Sequence, residues 1–129
     1  MPMLRLLVRK VFAGDDRFEV VGEAQDGIEA LRVVHDMHPD VLLLDLAMPN
    51  MDGLEVLSRF QETGTGPVTI VLSGFAEEGA NAALHLGAAA YINKAEDVMR
   101  LPDLVADVLR RRLGDRVGPW PVVAPGATA

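Results

Sequence analysis

The sequence contains no cysteine. Disulfides, Cys-ligated zinc, iron–sulfur clusters and thiol catalysis are therefore excluded. Positive charge is also short: 12 Lys and Arg face 19 Asp and Glu, for a net charge of −7. That balance works against contacts to phosphate backbones, so nucleic-acid binding by this chain alone is not expected. The one basic run, Arg110-Arg111-Arg112, reads as a solvated last helical turn favoured by the helix dipole. No apolar run approaches the roughly 18 residues of a membrane span. The first ten residues mix charge into their apolar stretch and lack the order of a signal peptide. A cytoplasmic chain with no membrane partner is the expectation. His35, His38 and His85 show no metal-ligand spacing.

What remains is a globular composition. Half of the 129 residues are apolar and 24% are charged, which suits one compact domain with a real core. Leu4, Leu7, Val8 and Val11 recur at a helical period, and Gly14-Asp15-Asp16 closes that helix. A short β-rich run follows over 18–22. Asp26 with Glu29 predicts a capped helix that stops before Pro39. The runs 41–46 and 68–72 are almost wholly apolar, the mark of strands buried on both faces of a parallel sheet. Helices are predicted from Asp52 to about Gln61, over 76–86 and over 102–113, with a third short strand at 89–92. Strand and helix alternate with short connections, which predicts a parallel sheet with helices on both faces. The expected division is a domain over 1–113 and a Pro/Gly-rich tail or linker over 114–129.

In open parallel sheets, sites form at the carboxyl ends of the strands. Asp45 ends the first apolar run, Ser73 ends the second, and Lys94 follows the third strand. An acid, a hydroxyl and an ammonium thus converge on one edge. A carboxylate can attack a phosphoryl donor, and a hydroxyl and a cation can then hold the phosphoryl oxygens. Taken singly, each residue has a plainer use. Asp45 suits a structural strand end, Ser73 a helix cap, and Lys94 the surface; Tyr91 suits core packing.

Together they resemble a known family. Val41-Leu-Leu-Leu-Asp-Leu-Ala-Met-Pro-Asn-Met-Asp-Gly-Leu-Glu55 is similar to the phosphoacceptor segment of response-regulator receiver domains. Val71-Leu-Ser-Gly74 resembles their switch hydroxyl, and Gly87-Ala-Ala-Ala-Tyr-Ile-Asn-Lys94 their last strand. Phe18-Glu-Val-Val-Gly-Glu-Ala-Gln-Asp-Gly-Ile-Glu-Ala-Leu31 resembles their second strand and helix. The likeness spans about residues 3–113. It implies a flavodoxin-like α/β three-layer sandwich. It further implies Asp45 as phosphoacceptor, Ser73 and Lys94 as phosphoryl-binding groups, and Tyr91 as a switch on the partner face. Mg²⁺ would be held by Asp45 and the Ala47 backbone carbonyl. The implied function is phosphoryl acceptance on Asp45 from a histidine kinase or phosphotransfer protein, relayed by conformational switching. The alternative is a phosphorylation-independent pseudo-receiver that works as a protein-interaction module. Neither reading is an enzyme. A phosphatase with a strand-end Asp nucleophile would carry a second acid at position 47, where this chain has Ala.

One part of the pattern is missing. The family opens with a strand ending in two acids that hold Mg²⁺, whereas this chain opens in what resembles the first helix. Asp45, one carbonyl and water make a poor site for a hard cation. The missing strand is interior in the family's order, so its slot needs a filler. The flanking strands could close up, or a second copy could donate a strand in a homodimer. As a third course, Pro119-Trp-Pro-Val-Val-Ala124 could run up from the last helix into the slot. In that case Ala124-Pro125-Gly126 would stand where the acids belong and bring no charge.

Overall fold

The computed structural model describes residues 2–45, 53–73, 78–93, 98–114 and 118–126, with the side chains of 2–4, 73, 78–80 and 93 outside the description. The elements in chain order are α1 (Pro2–Ala13), β1 (Phe18–Ala24), α2 (Gly27–Met37), β2 (Val41–Asp45) and α3 (Gly53–Thr63). They continue with β3 (Val68–Ser73), α4 (Glu78–His85), β4 (Ala90–Asn93), α5 (Leu101–Leu113) and β5 (Trp120–Pro125). A single 3₁₀ turn, Val98–Arg100, leads into α5.

Local chemistry accounts for several of these boundaries. Asp26 caps α2 by accepting from the Glu29 backbone N–H at 2.8 Å, and the Glu29 carboxylate accepts from the Gln25 N–H at 3.0 Å. The helix ends at His38, in the left-handed region at φ 47°, whose N–H reaches the Val34 carbonyl. Pro102 occupies the first turn of α5, where its missing N–H costs nothing.

The five strands form one sheet in the order β1-β5-β2-β3-β4, with every pairing parallel. Side chains alternate between two cores. Val41, Leu43, Ile70, Leu72, Trp120 and Val122 face α1 and α5, packing on Val8, Phe12, Leu101, Val105 and Leu109. Leu42, Leu44, Val71 and Val123 face the other helices, packing on Ala30, Val56, Leu57 and Ala83. All four apolar residues of β2 are buried, which is why that run reads as continuous rather than alternating.

The interior slot is filled from the C-terminus. β5 pairs with β1 from Phe18↔Trp120 to Ala24↔Pro125, and with β2 through Val41↔Val122 and Leu42↔Val123. A boundary at 113 would therefore cut an interior strand from its sheet, and the expected tail over 114–129 is corrected: residues 120–125 belong to the domain. Because the chain fills its own slot, strand donation by a second copy is not needed, and the slot gives no reason for a homodimer. The run expected at 18–22 is longer, reaching Ala24 through an irregularity between Val20 and Gly22.

Candidate functional site

The alternation along β2 decides where Asp45 points. Leu42 and Leu44 face the α2–α4 side and Leu43 the α1–α5 side, so Asp45 follows Leu43 toward α1. It is 2% exposed. Its Oδ2 accepts from Arg5 Nε of α1 at 3.2 Å, and the Arg5 side chain is itself only 14% exposed. One turn further along α1, Arg9 Nη1 donates to Glu23 Oε2 of β1 at 3.2 Å, in a more open setting. Residues four apart share a helix face, so α1 lays a cationic stripe along the carboxyl edge of the sheet.

Asp45 pairs with Leu72 and Ser73 pairs with Asn93, so the ends of β2, β3 and β4 line one edge. The Ser73 backbone stands there, while its side chain is outside the described residues. Ala47 and Lys94 are outside them entirely. Tyr91 is half-buried opposite Val71 and packs beside the core on the α2–α4 side. Of the expected set, then, Asp45, the Ser73 backbone and the end of β4 meet on one edge.

Arg5 is the residue that sequence reasoning missed. Its signal was present but weak: Arg5 and Arg9 lie four apart beside an apolar helical stripe. Only the alternation of β2 shows which acid Arg5 meets.

Known proteins share this fold. The sequence pattern of the response regulator receiver domain matches residues 1–106. The chain belongs to the response regulator receiver domain family. The receiver domain of the response regulator NarL from Mycobacterium tuberculosis is similar in structure, with TM-score 0.76 and 32% identity over 82% of this chain and 86% of that one. The response regulator domain of Thermotoga maritima CheB gives TM-score 0.69 and 28% identity over 89% of this chain and 90% of that one. Among curated proteins, a protein-glutamate methylesterase/protein-glutamine glutaminase of Myxococcus xanthus is 39% identical over 97% of this chain and 38% of its own length. A Bacillus subtilis transcriptional regulatory protein, YhcZ, is 41% identical over 69% of this chain and 42% of its own length. The chain thus spans less than half of the curated relatives it matches. It is a receiver domain of two-component signalling, in a flavodoxin-like sandwich.

One expectation is corrected by these relatives. The sequence leads one to expect no enzyme, yet several of the curated proteins similar to it are named as enzymes of the methylesterase and glutaminase class. Kinship therefore does not separate this receiver from enzymes. The matched span also ends before β5, so the strand that completes the sheet comes from outside the family's pattern.

Receiver domains generally bind Mg²⁺ at their phosphorylation site. The described residues of this one do not fit that ion. β5, standing in the first-strand slot, ends in Ala124 and Pro125. Glu23 is engaged by Arg9 and Asp26 by the α2 backbone. No group of three His, Cys, Asp or Glu is placed to hold a metal among the described residues. A guanidinium already lies on the buried Asp45 carboxylate, which opposes a second cation there. Among the described residues, no helix is long and apolar enough to cross a membrane.

Proposed function

We propose that Asp45 is the phosphoacceptor of this receiver, with Ser73 and Lys94 binding the phosphoryl oxygens and Tyr91 passing the change to a partner surface. The donor is a histidine kinase or phosphotransfer protein, in a cytoplasmic setting. One observation carries the reading: Asp45 is a buried acid at the carboxyl end of β2, beside the ends of β3 and β4. Burial beside a fixed cation suits a carboxylate that must attack an anionic phosphoryl group, because the guanidinium offsets the repulsion between the two. No metal has a place in this reading, and the receiver unit is taken to run through β5.

A second reading has its own support. An edge whose described residues offer no acidic pair for a metal also suits a pseudo-receiver, in which the paired Asp45 is structural and the domain works through its surface. Intact mass after incubation with acetyl phosphate decides between them. One phosphoryl adduct, lost in Asp45→Asn, is expected. A folded protein that takes up none would establish the pseudo-receiver instead.

A further inference from the structure

Three observations meet at Asp45. The strand in the first slot brings no carboxylate to the edge, because β5 ends in Ala124 and Pro125. Arg5 Nε lies 3.2 Å from Asp45 Oδ2, with both side chains largely withdrawn from water. Two further acids of that edge, Glu23 and Asp26, are committed to Arg9 and to the α2 cap. A divalent ion placed against Asp45 would find no further uncommitted carboxylate among the described residues of that edge and would face a resident guanidinium.

We propose that Arg5 is a built-in counter-cation that stands in place of the metal, so that phosphoryl transfer to Asp45 proceeds without a divalent ion. The inference rests on Asp45 being the phosphoacceptor. A guanidinium is well suited to that role, because it is a planar cation with several N–H donors and can hold a carboxylate and an incoming phosphate oxygen together. With acetyl phosphate as donor, a carboxylate oxygen of Asp45 forms a bond to phosphorus. The bond from phosphorus to the acetate oxygen breaks, and acetate leaves with the electron pair. Asp45 reacts as the carboxylate that Arg5 holds, so no proton has to be removed from it. The charge that Mg²⁺ would neutralise is met by Arg5.

The test compares adduct formation from acetyl phosphate in EDTA and in millimolar Mg²⁺, by intact mass, for the wild type, Arg5→Lys and Arg5→Met. A second readout is independent of the chemistry: Mn²⁺ titration of the unphosphorylated wild type, followed by line broadening of backbone amides beside Asp45. Wild-type rates within about two-fold of each other in the two buffers, with no broadening at Asp45, are expected. Loss of this charged group in Arg5→Met should slow transfer in EDTA by roughly a hundred-fold, the cost of removing one such donor from a reacting centre. Arg5→Lys should retain more of the rate than Arg5→Met. Adduct that forms only with Mg²⁺, or Mn²⁺ broadening centred on Asp45, would overturn the inference while leaving Asp45 as phosphoacceptor. No adduct in either buffer, from a folded wild type, would overturn the phosphoacceptor reading and the inference with it. The wild-type arms decide the matter even if Arg5→Met fails to fold.

Discussion

Asp45 and Arg5 form the most enclosed ion pair among the described salt bridges, at 2% and 14% exposure. Burying a pair costs desolvation, so such a pair is weak evidence of a stabilising role and better evidence of a specific one. Arg17 makes a different kind of link. Its Nη2 donates to Asp15 Oδ2 and to Asp103 Oδ1, each at 2.7 Å, and so ties the α1–β1 turn to the start of α5. The hydrogen bonds from Arg17 hold the Asp15 carboxyl below its ordinary value of 3.8, with burial opposing in part. The folded state therefore binds this proton less readily than the unfolded chain. Stability from Asp15 is present above about pH 4 and is lost as pH falls through the lowered value. An Asp15→Asn variant should be less stable than wild type at pH 6, by about 1 kcal/mol or less for so open a pair. The difference should shrink toward pH 2. Urea denaturation at the two pH values measures it, and a gap that widened on acidification would contradict the assignment.

At the scale of elements, β5 is the one whose place was least legible. Pro119, Pro121 and Pro125 argue against an interior strand, since proline cannot donate to a ladder. The chain accommodates them by pairing β5 with β2 only through Val122 and Val123, between the second and third prolines. The Pro121 carbonyl still accepts from the Asp40 N–H at 2.9 Å. The signal for the strand lay in Trp120, Val122 and Val123, all of them buried. The Trp120 ring stands 5.6 Å from Phe18, whose own ring meets Phe12 at 4.9 Å. Burying those three side chains is worth on the order of 5 kcal/mol, which is comparable with the whole stability of a small domain. Deleting residues 115–129 should therefore abolish cooperative thermal unfolding. Trp120→Ala should cost about 3–5 kcal/mol in urea. A truncated chain that melted like the full one would show that β5 does not hold the sheet together.

At the scale of the whole molecule, the fold was readable because the sheet is parallel and buried. Continuous apolar runs marked β2 and β3, and the helical period marked the helices that cover them. Asp45 was readable for the same reason, as a charge at the end of an apolar run. Arg5 was not, because nothing local joins it to a residue 40 positions away. The parallel order sets β5, which α1 covers, beside β2, so that Arg5 reaches Asp45, and it also brings the strand ends to a single edge. On the reading proposed above, this edge delivers a phosphoryl group to Asp45. Borohydride reduction after acetyl phosphate treatment, followed by peptide mass mapping, tests that most directly, because it converts an aspartyl phosphate to homoserine and so marks the residue. Homoserine at position 45 is the predicted result. Homoserine at any other acid, or at none in a folded sample, would contradict it.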